Sequence, residues 1–335
     1  MKALPRRARF LATILLSAGV LAVVFQTTGS SEVWATLKDV PLRAVLLVLS
    51  ASLLARFAEA SLMGAILRRL GHTVGAGRIV LANLLSSFYS MFVPGDVVAS
   101  AAKWADLSRA TGDPRTVFAA IIHNRANLVL ASLVLAIGAS FTPSVNGDST
   151  LLVALSVSAL AILLGYLFLL QGVILRAPRL RLIGSIGSRV PAQIRKFAAS
   201  FDVLGGLSLT DQAVLGVGAL LASLIGASAT YATFSAVGIE EGLMVVLWVR
   251  AILVVVRLLP ISFNGLGVHE ATLVILLGAY GIEPETAVAA GLLAFGANTV
   301  KASIGGVYQL FLIARAGRGE ESHRSDRVSD GQSSG

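Results

Sequence analysis

Long apolar stretches recur along this chain and alternate with short polar loops. A helix needs about 20 apolar residues to cross a hydrocarbon core about 30 Å thick, and six uninterrupted stretches meet that length. They predict helices at residues 8–27, 42–67, 116–140, 150–172, 212–237 and 285–313. The pattern therefore predicts an all-α polytopic membrane protein with about six full spans.

Two further apolar stretches are each interrupted by proline and glycine. The first is broken at Pro94 and Gly95, and the second at the run PISFNGLG, which begins at Pro260. Proline lacks a backbone donor and glycine favours irregular backbone, so neither run continues a helix. The predicted half-helices are residues 79–93 and 97–110 in the first stretch, and residues 243–259 and 268–280 in the second.

The distribution of lysine and arginine predicts the orientation, because cytoplasmic loops are enriched in both. Basic residues near the N-terminus, in the loop at residues 176–196 and after residue 314 place both termini in the cytoplasm. The loops at residues 141–149 and 240–241 carry none and are predicted to be outside. Each interrupted stretch then begins and ends on one side, which predicts two re-entrant hairpins. Ordinary short spans with a misplaced loop remain the alternative.

A short sequence repeat relates the two halves of the chain. Its members keep the same spacing at a constant offset: Pro114, Thr116, Ala119 and Ala120, and then Pro284, Thr286, Ala289 and Ala290. The two halves start on opposite sides, so they predict an inverted repeat, as in many secondary transporters. Its units, residues 8–140 and 150–313, each read helix, helix, re-entrant hairpin, helix. Residues 1–314 are predicted to form a single transmembrane domain, and residues 315–335 a disordered cytoplasmic tail.

Composition agrees with a membrane protein and removes several classes of site. The chain is 56% hydrophobic and 13% charged, whereas soluble domains carry roughly 25% charged residues. It has no cysteine, which excludes disulfides and thiolate metal sites, and its four histidines show no metal-ligand spacing. The net charge of +9 follows from the basic cytoplasmic loops, so no nucleic-acid partner is predicted. The sequence predicts no catalytic constellation, metal or cofactor.

Polar and charged side chains at membrane mid-depth are costly, which makes them functional candidates. The candidate substrate-binding residues on the uninterrupted helices are Arg56, Glu59, His123, Asn124, Arg125, Asn298 and Lys301. Those on the interrupted stretches are Asp96, Lys103, Arg250, Arg257, Asn264, His269 and Glu270. A structural ion pair between Arg56 and Glu59, and a purely structural cap by Glu270, are the alternatives for those residues.

The deepest of these residues carry more positive than negative charge. The positive set is Arg56, Arg125, Arg250, Arg257 and Lys301, and the negative set is Glu59, Asp96 and Glu270. An uncompensated surplus of buried positive charge is unfavourable, so it predicts an anionic partner. Phosphate is the natural candidate, because the guanidinium group matches its geometry.

Two runs of residues resemble a known family. FVPGDVVASAAKW and the longer LLPISFNGLGVHEATLVILLGAYGI are similar to the lysylphosphatidylglycerol synthase transmembrane-region family, also described as flippase-like, and the resemblance covers roughly residues 40–313. It implies a membrane domain like the half of the bacterial multiple peptide resistance factor that moves an aminoacylated phospholipid between leaflets. The family usually has arginine where His269 stands and another near Ala99 and Ser100, for which Lys103 is the candidate substitute. The aminoacyl-transferase domain of larger relatives is not found, so no lysyl transfer is implied.

The residues and the resemblance together predict a flippase or transporter that moves an anionic lipid or lipid-linked intermediate between leaflets. Its expected partner is a phospholipid or a polyprenyl-phosphate-type lipid. A membrane-embedded enzyme acting on a lipid headgroup and a secondary transporter of a small anion are the alternatives. The expected location is the bacterial cytoplasmic membrane, and a homo-oligomer is an expected assembly.

Overall fold

The computed structural model describes the backbone of residues 30–92, 96–142, 157, 160, 202–257 and 267–332, and the side chains of all of these except residues 30, 96–98, 202 and 315–332. Over these residues the fold is helical, with nine α-helices, one short 3-10 helix at Asp202–Gly206 and no strand. The predicted all-α class is confirmed. The helices are α1 (Ser30–Lys38), α2 (Leu42–Arg69), α3 (Ala76–Ser90), α4 (Asp96–Thr111), α5 (Pro114–Ser140), α6 (Leu209–Ala236), α7 (Leu243–Val256), α8 (Val268–Gly278) and α9 (Pro284–Gln332).

Four helices are long and apolar enough to cross a membrane within the described part of the chain. They are α2, α5, α6 and the part of α9 at Pro284–Ala314, and they match four of the six predicted spans. The other two, at residues 8–27 and 150–172, lie outside the described residues. Large apolar side chains such as Leu47, Phe57 and Leu310 are more than half exposed on the outer faces of α2 and α9, which suits a hydrocarbon surrounding.

Local chemistry sets the helix ends two or three residues from their predicted positions. α5 begins at Pro114 because the Asp113 side chain accepts hydrogen bonds from the backbone N–H groups of Arg115 and Thr116. A hydrogen bond from the Thr116 hydroxyl also holds the pKa of Asp113 below its usual range. α6 begins at Leu209 because Ser208 and Asp211 form a reciprocal capping box ahead of the apolar run.

Glycines with positive φ close α2 and α6 in the same way. Gly71 has φ 87° and Gly238 has φ 82°. In each case the next residue donates its N–H to a carbonyl five positions earlier, His72 to Leu67 and Ile239 to Phe234, both at 2.9 Å. Because a side chain is strained at such φ values, glycine is the residue that lets the chain reverse there.

The helix packing follows a regular scheme. α2 packs along α6, α3 packs against α9, and α5 packs against α7. Each pair of short helices also packs on the long helix that follows it, α4 on α5 and α8 on α9. Two apolar cores result, one around α3 and the start of α5, and the other around α7, α8 and the start of α9.

The short helices form two antiparallel hairpins. In the first, Arg78 near the start of α3 donates to Asp106 near the end of α4 at 3.0 Å. In the second, the Trp248 ring of α7 meets the Tyr280 ring just after α8, with 6.4 Å between centroids. The longest of these helices has 16 residues, which is about 24 Å of helix and less than the hydrocarbon thickness of about 30 Å.

Ion pairs gather the basic loop residues at one end of the bundle. Arg69 at the end of α2 pairs with Asp211 at the start of α6 at 2.8 Å, and His72 lies 3.5 Å from Asp113 at the start of α5. Tyr308 of α9 donates to Asp106 at 3.2 Å at the same end. We call this the basic end, and the end that carries Glu240 the acidic end.

The backbone continues as helix to Gln332, although the sequence predicts disorder after residue 314. The sequence of these additional turns is rich in charge. The boundary of the membrane domain at residue 314 stays a prediction.

Candidate cation-lined cavity

A partly open cavity of about 650 Å³, a volume that includes the open space at its mouth, lies among α2, α6, α7, α8 and α9. Small and apolar side chains form about half of its wall. The polar remainder comes from all five helices and consists of Ser52, Thr230, Thr233, Arg250, Arg257, His269, Asn298 and Lys301. Five of these residues, Arg250, Arg257, His269, Asn298 and Lys301, are candidates from the sequence, and the structure brings them together.

Arg250 reaches the cavity from the middle of α7. Its Nη1 donates to the Thr230 hydroxyl at 3.3 Å, and its Nε is buried without a hydrogen-bond partner among the described residues. The guanidinium lies directly on the backbone of α6 at Gly226, where a side chain would collide with it. The absence of a side chain at Gly226 therefore gives Arg250 its position.

Arg257 and His269 mark the inner ends of the second hairpin. Arg257 ends α7, His269 lies in the first turn of α8, and Nη2 of Arg257 is 3.4 Å from Nδ1 of His269. Because an arginine only donates, this contact requires Nδ1 to be the acceptor. Both side chains line the cavity.

Lys301 is the most buried cation of the cavity wall. It is 9% exposed, lies on α9, and makes no hydrogen bond or ion pair with any residue that the structure describes. Asn298 is one turn earlier on the same face and also lines the cavity. A buried ammonium that faces a cavity in this way is a donor for an incoming anion.

Arg56 and Glu59 form an ion pair on α2, with Nη1 2.8 Å from Oε2 and each side chain about a quarter exposed, at 26% and 24%. Ser52, Arg56 and Glu59 are four and three residues apart, so they follow one face of the helix. Ser52 lines the cavity, so the ion pair continues that wall. The structural pair considered from the sequence is thus present, at the cavity's edge.

Electrostatic contact extends this cluster to α4 and α5. The Glu59 carboxylate interacts with the charges of Arg125, Arg250 and Lys103 as well as Arg56. Lys301 in turn interacts with Arg56, Arg257, Glu59 and Arg250. Lys103 is therefore close enough to belong to the cluster, although the deep charge set chosen from the sequence left it out.

The other candidate residues either do not line the cavity or lie outside the residues that the structure describes. Glu270 is 1% exposed, and its Oε2 accepts the Gly267 N–H at 2.6 Å, so it caps α8. His123 and Asn124 are buried within α5 and are not part of the wall. The side chain of Asp96 and all of Asn264 fall outside the described residues.

Sequence reasoning missed two groups of polar residues. Ser52, Thr230 and Thr233 have short hydroxyl side chains that are common in apolar helices, where they bond to their own backbone, as Thr233 does with Ala229. Asp106 is 2% exposed and bonded to Arg78 and Tyr308. An acid four residues from the end of an amphipathic half-helix was the available signal for it.

A comparison with known protein families assigns the chain to one of them. The profile of the family described as the lysylphosphatidylglycerol synthase TM region matches residues 10–306. The chain belongs to that family. It is therefore a multi-pass membrane protein whose helices include the α2, α5, α6 and α9 spans. No curated individual protein matches the chain significantly.

Neither the family nor the described residues point to a soluble catalytic domain or a metal centre. A transmembrane region of this family is a membrane domain and not a soluble catalytic domain. Within the described residues, no group of three or more His, Asp or Glu side chains is arranged to hold a metal ion. What the wall offers is donors and positive charge, a set suited to binding an anion.

Proposed function

We propose that this member of the lysylphosphatidylglycerol synthase TM-region family moves an anionic lipid or lipid-linked intermediate between the two leaflets of a membrane. The observation that carries the proposal is the cavity with Arg250, Arg257 and the buried Lys301 in its wall. Buried cations are costly in a membrane unless an anion accompanies them at least part of the time. An anionic headgroup that enters the cavity supplies that charge.

The edge of the cavity on α2 favours a lipid over a small solute. Arg56 and Glu59 continue the cavity wall, while Leu54 and Phe57 on the same stretch are 55% and 52% exposed on the outer surface. The polar Arg56 and the outward-facing Phe57 are thus adjacent in sequence. A headgroup bound beside Arg56 would leave its acyl chains free to remain in the hydrocarbon.

The proposal includes the inverted repeat and the re-entrant hairpins. If the two halves are equivalent, α2 corresponds to α6, α3 to α7, α4 to α8 and α5 to α9. The α3–α9 contact then corresponds to the α7–α5 contact, and the α4–α5 contact to the α8–α9 contact. Gly71 corresponds to Gly238, and Gly112 before α5 corresponds to Gly281 before α9, each with positive φ. These equivalences support two related halves around a central site, as in transporters.

The proposed orientation places the basic end of the bundle in the cytoplasm and the acidic end outside, by the positive-inside rule. Arg69, Arg78 and Arg115 belong to the basic end, and Glu240 and Glu283 to the acidic end. The bacterial cytoplasmic membrane is the proposed location. Assembly as a homo-oligomer stays a prediction.

The test is lipid translocation in vesicles that contain the purified protein. Tail-labelled fluorescent phosphatidic acid, phosphatidylglycerol and phosphatidylcholine are reconstituted in both leaflets, and a membrane-impermeant reductant then quenches whatever label reaches the outer leaflet. We expect at least one anionic lipid to move faster than phosphatidylcholine. Lys301→Ala should slow it about tenfold or more, since a charge-assisted hydrogen bond contributes about 1.5–3 kcal/mol.

Val300→Ala is the matched control, because Val300 is next in sequence and 45% exposed on the outer surface of the same helix. It should keep the wild-type rate. Two results would count against the proposal: rates no higher than in protein-free vesicles for every lipid, or a Lys301→Ala rate equal to wild type. Uptake of a soluble anion without lipid movement would support the small-anion transporter instead.

A further inference from the structure

The charges around the cavity form one connected cluster. Glu59 interacts with the cations on α2, α4, α5 and α7, and Lys301 interacts with those on α2 and α7. Glu270 interacts with Arg257. The members are six cations and two acids: Arg56, Lys103, Arg125, Arg250, Arg257 and Lys301 with Glu59 and Glu270.

Both acids of the cluster already have structural partners. Glu59 accepts from Arg56 at 2.8 Å, and Glu270 accepts from the backbone of Gly267 at 2.6 Å. With all groups in their ordinary charge states, six cations against two acids leave a formal surplus of four positive charges. Counting Asp96 as well, from the sequence alone, still leaves three.

This surplus distinguishes between headgroup classes. A phosphodiester carries one negative charge and would offset only one of these formal charges. An aminoacylated phosphodiester with a lysyl group is a net cation and would add to it. A phosphomonoester at neutral pH carries about two negative charges, with a second pKa near 6, and a diphosphate carries more. Compensation of this formal surplus therefore favours the last two classes.

We propose that the cavity selects a phosphate group with at least two negative charges, a phosphomonoester or diphosphate, over phosphodiester and aminoacylated headgroups. This rests on the function proposed above and names its substrate class. Lys301 binds the phosphate directly, because it is a buried cavity donor that no described residue satisfies, and Arg250 adds a second cation to the same wall. A phosphomonoester has three terminal oxygens to accept these donors, whereas a diester has two.

The experiment measures competition among lipids for the purified, full-length protein. Native mass spectrometry from mixed micelles gives the bound ratio of phosphatidic acid to phosphatidylglycerol, and of phosphatidic acid to lysylphosphatidylglycerol, with matched acyl chains. We expect phosphatidic acid to be favoured about tenfold or more over either competitor at pH 7.5. The ratio to phosphatidylglycerol should fall by pH 5, where the phosphomonoester loses its second charge. A protonation of His269 affects both lipids and largely cancels in that ratio.

Two variants at Lys301 test the assigned ligand. Lys301→Met keeps the length of the side chain without its charge and should reduce the phosphatidic acid preference about tenfold. Lys301→Arg restores the charge and should restore most of the preference, which separates a lost contact from a misfolded variant. Lys38→Met removes a lysine of α1 that lies over the Trp34 ring, away from the cavity, and should leave the ratio unchanged.

Soluble competitors identify the source of the phosphate. Inorganic phosphate or diphosphate that displaces labelled phosphatidic acid at micromolar concentration would show that the site takes free anions, whereas displacement only by lipids shows that it requires the acyl chains. Equal binding of phosphatidic acid and phosphatidylglycerol, or a ratio that does not change with pH, would overturn the inference. If those lipids are still translocated in vesicles, the proposed function stands while this selectivity falls.

Discussion

At the scale of single residues, the position of the Arg250 guanidinium depends on the missing side chain of Gly226. The Arg250 guanidinium occupies the space that a side chain at Gly226 would take, so α6 and α7 approach closely at that point. Arg250 is also bonded to Thr230, one turn further along α6. The glycine and the threonine together hold the arginine head toward the cavity.

Gly226→Ala should therefore displace Arg250 and weaken anionic lipid binding. A Cβ at Gly226 would lie 2.7 Å from Cζ of Arg250, closer than real contacts allow. The arginine head is flexible, so we expect it to move while the fold remains, with binding reduced about tenfold and thermal stability within about 1 kcal/mol of wild type. The measurements are lipid binding by native mass spectrometry and a thermal melt in detergent.

Gly216→Ala on the same helix is the control for that change, because a Cβ there meets nothing within 4 Å. It should leave binding unchanged. Wild-type binding by Gly226→Ala would show that the arginine does not need its present position, and a large loss of stability would show that the glycine serves packing.

The sequence singles out five of the eight polar residues that line the cavity, but not their arrangement. Charged and amide side chains in apolar helices are conspicuous, since burying them is costly, and Arg250, Arg257, Asn298 and Lys301 stand out for that reason. Gly226 and Thr230 do not, because glycine and threonine are ordinary residues of membrane helices. Their role arises only once α6 and α7 are packed together.

At the scale of helices, close backbone contact joins the two halves. α9 crosses α3 where Gly305 faces the backbone of Leu84 and Leu85. Small residues allow such close approach in membrane bundles. Within the second hairpin, a local cap sets the start of α8, where the Glu270 carboxylate accepts the Gly267 N–H. Helix positions were predictable from apolar runs, whereas the caps at Asp113 and Ser208 shifted their ends.

Gly305→Ala should destabilise the bundle. The added Cβ would lie 2.9 Å from the Leu85 nitrogen and closer still to the Leu84 carbonyl, and backbone cannot move aside as a flexible side chain can. Overpacking of this kind costs about 1–3 kcal/mol. We expect a clear fall in the melting temperature in detergent.

Gly296→Ala, also on α9, provides the comparison, since a Cβ there meets nothing within 4 Å. It should be neutral or slightly stabilising, because alanine is favoured over glycine in helices by up to about 1 kcal/mol. A Gly305→Ala protein as stable as Gly296→Ala would mean that α3 and α9 can separate without cost.

At the scale of the whole molecule, six helices from both halves contribute charge to one cluster. The sequence predicted a surplus of positive charge at mid-depth, but it could not assign Lys103 to the cluster, because only the packing of α4 near α2 brings that residue within reach of Glu59. It also could not show that basic residues of separate loops meet at one end of the bundle, away from Glu240. The structure gathers Arg69, Arg78 and Asp211 at one end, as the orientation rule requires of one side.

That separation predicts a topology that labelling can measure, because the chain contains no cysteine. Single cysteines at Glu240 and Asn146 should react with a membrane-impermeant maleimide in intact bacterial cells. Those at Thr73 and Ser188 should react only after the cells are permeabilised. The reason is that cytoplasmic loops are enriched in lysine and arginine, and Thr73 and Ser188 belong to basic loops while Glu240 and Asn146 do not. Thr73 and Glu240 are exposed in the structure, so failure to react cannot be assigned to burial.

Labelling of Thr73→Cys and Ser188→Cys in intact cells, with Glu240→Cys protected, would reverse the proposed orientation. Labelling of Thr73→Cys and Glu240→Cys from the same side would contradict the packing of α2 and α6 as two antiparallel spans.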